Sequence, residues 1–493
     1  MDNLHDIIPA TCRGFRRAGF GLLASMALSV ASHADELHLF HSTEGQPLSA
    51  TFVGLSEGKI KLKRVDGKVF EIAKDRLCAA DLKYIDGIVN KDAEEAKKIN
   101  AAAGHEFSDG SSFSQRKAED LAKALDLRPE SQTRYGSSWR LYAAFVKDYR
   151  LFGAMPYSVA LYSDADGGIA NLSIVYANKG DFGSAAGFAE NHFKGGTTAT
   201  ASTLAEAMAA DDEAVTKALT SVFGEPKTQR YGEGGARRTI QRWDWNGHAF
   251  LLSDVEHEYV GLSVVSTAEA DSGGRSARLK DDVLKARLLG SIVKSPNGDV
   301  YLTNIPMVNQ GPKGYCVPAT FERVMRTMGM DADMYLLAML GQTSAGGGTS
   351  VETLLANVKN LVYSKGRRTK DEKIKQLRIR DIRRYIDEGI PVMWTLHSTE
   401  QYNKLADADT AERPGVSNWK AYAAGIAGKA AEIVKGSKPA MDEKNHICMI
   451  IGYNETTGEI AVSDSWGPHF ELRWVPVSVA NWVSMGSLFM ILR

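Results

Sequence analysis

Hydrophobic and polar residues alternate along the chain from about residue 35 to residue 73. Glu57-Gly58 and Asp66-Gly67 interrupt the alternation, and such dipeptides between alternating runs are strong hairpin signals. A period of two is typical of strands that bury one face only. The pattern therefore predicts a small antiparallel β unit, to which we assign residues 35–88.

Two regions with a different pattern come next. Residues 89–130 are rich in Ala, Lys and Glu and predict two helices around a loose loop, which together would serve as a spacer. Residues 131–266, here called the middle domain, predict an α+β domain that could hold substrate or cover the cleft of a zymogen. The predicted elements of this domain are strands at 158–162, 169–176, 238–245, 248–252 and 259–265 and helices at 203–208 and 212–222.

Residues 267–292 separate the middle domain from the C-terminal domain at 293–493. The polar, glycine-containing stretch from Ala268 to Arg278 is typical of a linker and would suit proteolytic release of the C-terminal domain. In the C-terminal domain, apolar residues recur at helical spacing after Cys316, and residues 446–453 and 459–463 predict a hairpin.

The first 34 residues predict a secretory signal peptide. Arg13, Arg16 and Arg17 precede a short apolar run, and small residues surround a cleavage site near Ala34. The run is too short for a stable transmembrane helix. We therefore expect a secreted or periplasmic protein that has no membrane contact after cleavage.

Composition excludes several function classes. The chain of 493 residues has a formal net charge of -1, so no basic excess suggests nucleic acid as a partner. After cleavage Cys78, Cys316 and Cys448 remain, and an odd, small number of cysteines argues against a disulfide framework. No Cys or His cluster has the spacing of a zinc site, and we expect neither a metal nor an organic cofactor.

Three segments carry the residues that thiol-based acyl transfer needs. Gln310 precedes Cys316 by six residues, and Cys316 lies where a helix is predicted to begin, so that helix N–H groups can stabilise a thiolate. His446 opens the predicted hairpin and Asp464 ends it, which should bring the two side chains together. Cys316 would be the nucleophile and His446 the base. Asp464 would orient the base, and Gln310 would donate to the oxyanion.

These segments resemble the papain-like cysteine peptidases, especially the bacteriocin-processing, double-glycine type and its peptidase-like relatives. The likeness covers about the last 200 residues, a usual size for one domain. It rests on the Gln310–Cys316 spacing, on the strand from His446 to Gly452-Tyr453 and on the run Asp464-Ser-Trp-Gly. The resemblance implies the catalytic set Cys316, His446, Asp464 and Gln310, a peptide or protein substrate and no cofactor.

The chain departs from that family at three places. Lys313 stands where papains have a disulfide cysteine, and Val317 replaces a Gly or Trp. The segment 398–444 is long for the family and could cover the cleft or contact substrate.

Residues 35–88 resemble a second family, the SH3-like Sla-type homology domain, over about 50 residues. In eukaryotic adaptors this module binds short peptide motifs and ubiquitin, so a peptide or protein ligand is implied, with a purely structural role as the alternative. The residues that carry the likeness include Phe40, Gly45, Phe52, Val53, Leu62, Asp66, Gly67, Lys68, Leu77, Asp81 and Tyr84.

The sequence thus predicts a multidomain α+β protein with a small SH3-like β-barrel, a middle α+β domain and a C-terminal papain-like α+β domain. The predicted function is that of a secreted or periplasmic cysteine peptidase. Two alternatives stay open: a catalytically silent binding protein on a papain-like fold, and an amidase that acts on cell-wall peptide.

Overall fold

The computed structural model describes residues 37–56, 58–110, 113, 116–142, 146, 148–182, 203–439 and 445–493. The predicted signal peptide at 1–34 lies outside these residues. Three antiparallel sheets and the helices packed on them make up the described part of the chain, which confirms the multidomain α+β class. Within the same ranges, no helix combines the length and the apolar character needed to cross a bilayer.

The first sheet has four strands in chain order, β1 Leu37–His41, β2 Pro47–Ser56, β3 Lys59–Arg64 and β4 Val69–Ala73. Phe40, Ile60 and Leu62 are fully buried on one face, as the alternation predicts. Gly67 lies in the turn between β3 and β4 at a φ of 83°, a conformation that glycine adopts without steric cost. The hairpin predicted at Asp66-Gly67 is therefore confirmed.

Helix α1, Ala79–Ala103, connects the first sheet to the middle domain. Ile85 and Ile88 pack in the core of the first sheet, whereas Ile99 packs in the core of the second. Gly104 ends the helix in the left-handed conformation, with a φ of 76°. The helix continues without a break through residue 88, which the sequence analysis takes as the boundary between the first domain and the spacer.

The second sheet belongs to the middle domain and has eight strands. The elements in chain order are α2 Ala118–Ala124, β5 Arg128–Thr133, β6 Gly136–Tyr142, β7 Ser158–Ser163, β8 Ile169–Asn178, α3 Leu204–Phe223, β9 Lys227–Tyr231, β10 Arg238–Trp245, β11 His248–Val255 and β12 Tyr259–Ser266. The strand order is β5-β6-β7-β8-β12-β11-β10-β9. All five predicted strands are confirmed. The two predicted helices form the single helix α3, which starts with a capping box between Thr203 and Glu206.

The two faces of this sheet differ in chemistry. Leu172, Phe250 and Leu262 form an apolar core with α3 on one face. On the other face, Ser173 Oγ donates to Asp333 at 3.2 Å and Tyr162 Oη donates to Glu322 at 3.0 Å. Val175 and Tyr259 form an apolar cluster with Met334 on the same face, so this face packs on the C-terminal domain through both polar and apolar contacts.

The third sheet is built from the C-terminal residues. The elements in chain order, beginning in the predicted linker, are α4 Thr267–Asp271, α5 Asp281–Leu289, β13 Ile292–Lys294, β14 Asp299–Leu302, α6 Cys316–Thr327, α7 Met334–Leu340, α8 Val351–Ser364, β15 Arg368–Lys373, α9 Ile379–Ile386, β16 Val392–His397, α10 Glu400–Glu412, α11 Trp419–Val434, β17 Asn445–Asn454, β18 Glu459–Ser463, β19 Arg473–Pro476, α12 Val477–Val483 and β20 Ser484–Leu492. The strand order of the sheet is β13-β14-β17-β16-β20-β15, and β18 and β19 extend it from β17.

The predicted hairpin between β17 and β18 is confirmed. Asn454 pairs with Glu459 across the turn, and Met449 pairs with Ser463 at the other end. A register shift between Ile450 and Gly452 bends the pair. The hairpin therefore brings the start of β17 near the residues that come after β18.

The long segment between β16 and β17 forms α10 and α11. Helix α10 packs on β19, where the backbone N–H of Trp474 donates to Thr410 Oγ1 at 2.8 Å. Helix α11 packs against α12. The described part of this segment thus supports the strand that comes after Asp464.

Candidate active site

Cys316 is the first residue of α6. The preceding residue, Tyr315, lies outside the helix with φ and ψ of -97° and 24°. Pro318 occupies the first turn, where its missing N–H costs no helical hydrogen bond. The backbone N–H groups of Val317 and Ile447 both interact with the Cys316 sulfur. The sulfur therefore lies at the positive end of a buried helix, as the sequence predicts.

His446 and Asp464 form a direct pair. His446 Nε2 lies 2.8 Å from Asp464 Oδ1, and both side chains are buried. His446 also forms a hydrogen bond with the Cys316 thiol, for which its other ring nitrogen, Nδ1, remains. Trp466 stacks on the imidazole, with ring centroids 4.6 Å apart and planes inclined by 26°, which keeps water from the His446–Asp464 contact.

The electrostatics of the pair favour charge separation. Burial opposes ionisation of Cys316, but the hydrogen bond and positive charge of His446 outweigh it and lower the pKa of the thiol. Burial also disfavours the imidazolium, but the hydrogen bonds to Asp464 and Cys316 raise the pKa of His446 to about 9. The two shifts together stabilise a thiolate–imidazolium ion pair near neutral pH.

Arg473 completes the site, and sequence reasoning missed it. Its Nη2 donates to Asp464 Oδ2 at 2.6 Å, and its Nη1 donates to Asn403 Oδ1 at 3.1 Å and to Asp407 Oδ1 at 3.0 Å. Burial would raise the pKa of Asp464, but the charge of Arg473 and the contact with His446 lower it. The pattern that could have pointed to Arg473 is a charged residue at the start of the otherwise apolar strand β19.

Gln310 lies beside the site but makes its own local contacts. Its backbone N–H donates to Ser465 O at 2.8 Å, which ties it to the segment after Asp464. Its side-chain Nε2 donates to Lys313 O at 2.9 Å. The amide group has two N–H bonds, so one remains for another acceptor. Among the described residues, none donates a hydrogen bond to the buried Oε1.

Cys448 is a buried thiol of a different kind. It lies on β17 two residues after His446, is completely buried, and burial raises its pKa well above the ordinary value. No group of three or more metal-binding side chains with suitable geometry occurs within the described ranges.

Comparison with known proteins matches two parts of the chain. Residues 302–488 match the family model described as the Peptidase_C39 like family, and residues 42–93 match SLA1 homology domain 1. Both resemblances found in the sequence are thereby confirmed. Gln310, Cys316, His446 and Asp464 all lie inside the first match.

The chain has low similarity to a solved structure of a peptidase domain. The crystal structure of the peptidase domain of Streptococcus ComA, a bifunctional ABC transporter involved in a quorum-sensing pathway, matches at 13% identity and a TM-score of 0.24. The match covers 38% of this chain and 96% of that one. No curated protein matches the chain.

Proposed function

We propose that this protein is a secreted or periplasmic cysteine peptidase that hydrolyses peptide bonds through an acyl-enzyme. The observation that carries the proposal is the buried alignment of Cys316, His446 and Asp464, in which the pKa of the thiol is lowered and that of the imidazole is raised to about 9. The similarity of residues 302–488 to the C39-like peptidases supports a peptide or protein substrate.

The reaction can be derived from the positions of these groups. The Cys316 thiolate attacks the carbonyl carbon of the scissile bond, and the negative charge moves to the carbonyl oxygen. The backbone N–H of Cys316 and the free N–H of Gln310 would stabilise that oxyanion. The His446 imidazolium then gives its proton to the departing amine, which leaves a thioester on Cys316.

The second half of the reaction regenerates the enzyme. Neutral His446 takes a proton from a water molecule as the water oxygen attacks the thioester carbonyl. The new oxyanion uses the same donors, and its collapse releases the carboxylic acid and the thiolate. Asp464, kept ionised by Arg473, holds the imidazole in one tautomer throughout.

Two small reagents test the proposal without knowledge of the natural substrate. Iodoacetamide alkylates a thiolate by displacement and needs no oxyanion site, whereas p-nitrophenyl acetate acylates the thiol through an oxyanion. We expect rapid alkylation of Cys316 at mildly acidic pH, a burst of p-nitrophenolate, and a loss of at least about 1,000-fold in peptide hydrolysis for Cys316→Ala. Cys78→Ala is the matched control because Cys78 lies at the start of α1, in the N-terminal region.

The alternatives predict other results. A binding protein with a retained fold would alkylate slowly, as a free thiol does, and would show no burst. The observation that favours this alternative is that one N–H of the Gln310 amide already donates to Lys313 O, which leaves only the second N–H for an oxyanion. An amidase would release products from purified peptidoglycan and leave proteins intact.

A further inference from the structure

The loop before Cys316, residues 309–315, contains a buried cation. The side chain of Lys313 is 0% exposed, and its Nζ donates to Asp181 Oδ2 and to Tyr335 Oη, each at 2.5 Å. An isolated buried ammonium is costly, so Lys313 depends on a carboxylate partner. Within the described ranges that partner is Asp181, which belongs to the middle domain and lies just past the end of β8.

Lys313 also contacts Gln310 directly. Its backbone oxygen accepts the hydrogen bond from Gln310 Nε2 at 2.9 Å. One residue therefore connects the middle domain to the amide that would stabilise the oxyanion. A displacement of the Lys313 side chain would move its carbonyl group and release the Gln310 amide.

The second sheet, through Glu130 on β5 and Tyr142 on β6, holds the other end of the same loop. The backbone N–H of Asn309 donates to Glu130 Oε1 at 2.7 Å, and Tyr142 Oη donates to Asn309 O. The Tyr142 ring packs so closely on Gly311 that an added Cβ would lie 2.7 Å from it. Both ends of loop 309–315 are thus fixed by residues outside the C-terminal domain.

The nucleophile and base are held differently. The partners that shift the pKa values of Cys316, His446 and Asp464 all lie in the C-terminal domain. The middle domain therefore contacts the loop of Gln310 and, through Tyr162 and Glu322, a later turn of α6, but it supplies none of the partners that ionise Cys316 and His446.

We propose that the middle domain is a permanent part of the active site, and that Asp181 is a positioning residue that holds the Gln310 amide through Lys313. This inference rests on the proposed peptidase function and deepens it. The middle domain then acts as an activator of the peptidase domain, and cleavage in residues 268–278 followed by separation would lower activity instead of releasing it.

The test compares two rates in the purified full chain and in its Asp181→Asn variant. Acylation by p-nitrophenyl acetate depends on the oxyanion site, whereas alkylation by iodoacetamide does not. We expect acylation to fall about tenfold while alkylation stays within about twofold, since only the oxyanion donor is displaced. Asp181→Glu, which keeps the charge, should recover part of the acylation rate.

The matched control is Asp244→Asn. Asp244 also belongs to the middle domain and forms an ion pair with Arg242 at 2.6 Å, but this pair lies on β10, three strands away from β8, which leads to Asp181. Both rates should stay unchanged in this variant. If Asp181→Asn unfolds, Tyr142→Phe gives a second test, because it removes only the hydroxyl that donates to Asn309.

Three outcomes separate the possibilities. Unchanged acylation in Asp181→Asn or, where that variant unfolds, in Tyr142→Phe would overturn the positioning role while leaving the peptidase function intact. An equal fall in both rates would also overturn it, because a general disturbance of the domain slows both reactions. A wild-type protein that is alkylated but never acylated would refute the proposed function itself.

Discussion

The two sides of the candidate active site are supported by different parts of the chain. On one side, Asp464 is held by Arg473, which is itself held by Asn403 and Asp407, all within the C-terminal domain. On the other side, the loop that contains Gln310 is held by the middle domain through Asp181 and Tyr142. Formation of the reactive ion pair and stabilisation of the oxyanion should therefore respond to different substitutions.

Arg473 supports one side of the site and Lys313 the other, and each is a buried cation paired with a carboxylate. The two cations act on the site at different distances. Arg473 contacts the carboxylate of Asp464 directly, so it changes the pKa of that group. Lys313 contacts Gln310 only through its backbone oxygen, so it sets a position and not a charge. Loss of either buried pair should lower stability, but only the direct support should change ionisation at the site, whereas the indirect one should change the position of the Gln310 amide.

The largest expected effect comes from breaking the direct support. Arg473→Met leaves Asp464 buried without its cation, and removing one partner of a buried pair costs about 3–5 kcal/mol. Because the native pKa of Asp464 is lowered, its charge stabilises the fold above the unfolded pKa, and this stability is lost as pH falls. Urea unfolding at several pH values should show lower stability near neutral pH, and the difference from wild type should narrow as pH falls and Asp464 becomes protonated.

The control for this variant is Arg383→Met. Arg383 is half-exposed and forms surface ion pairs with Asp387 and Glu455, which contribute at most about 1 kcal/mol. Equal stability of the two variants would mean that Arg473 does not support Asp464.

The second prediction tests stabilisation of the oxyanion separately from formation of the thiolate. Gln310→Ala removes the amide, and loss of one oxyanion donor lowers acylation by about 100- to 1,000-fold. Alkylation of Cys316 should keep its rate, since the thiolate does not depend on this amide. Stopped-flow measurement of both reactions checks the split, with Gln401→Ala on the exposed side of α10 as the control. A parallel fall of both rates would show that Gln310 supports the thiolate as well.

The third prediction concerns pH and has the smallest effect. Below the lowered pKa of Cys316 the thiol is protonated, and above about 9 the His446 imidazolium loses its proton, so acylation should be greatest between these limits. Asp464→Asn removes a charge that raises the pKa of His446, and the alkaline limit should move to lower pH. A shift of one pH unit corresponds to about 1.4 kcal/mol.

Rates measured across the pH range in wild type and Asp464→Asn test this directly. An alkaline limit that stays in place would mean that Asp464 does not stabilise the imidazolium. Arg383→Met again serves as the unperturbed comparison.

The errors in the sequence-based elements have a tertiary cause. The stretch around Asp211 suggests an interruption between two helices, because Asp competes with the backbone for hydrogen bonds. In the structure, Asp211 is buried within α3 and accepts a hydrogen bond from Ala177 N at 3.0 Å. This hydrogen bond from a residue 34 positions earlier in the chain satisfies the Asp211 carboxylate, so the carboxylate does not compete for the backbone of α3.

The elements that position the candidate triad were predictable because their patterns are local. Gly311, Pro312 and Gly314 disfavour a helix before Cys316, and helical periodicity begins after it. An apolar run on each side of a turn defines the hairpin that carries His446 and leads to Asp464. The two family resemblances rest on the same kind of local pattern, in which the spacing of residues along the chain can be read without a structure.

The supports of the site were decided by tertiary structure alone. Arg473 meets Asp407 across 66 residues, and Lys313 meets Asp181 across 132. No periodicity specifies such pairs, because either partner alone has the pattern of an ordinary charged residue. Burial is what makes each charge require its partner, and burial exists only once the sheets and helices have packed.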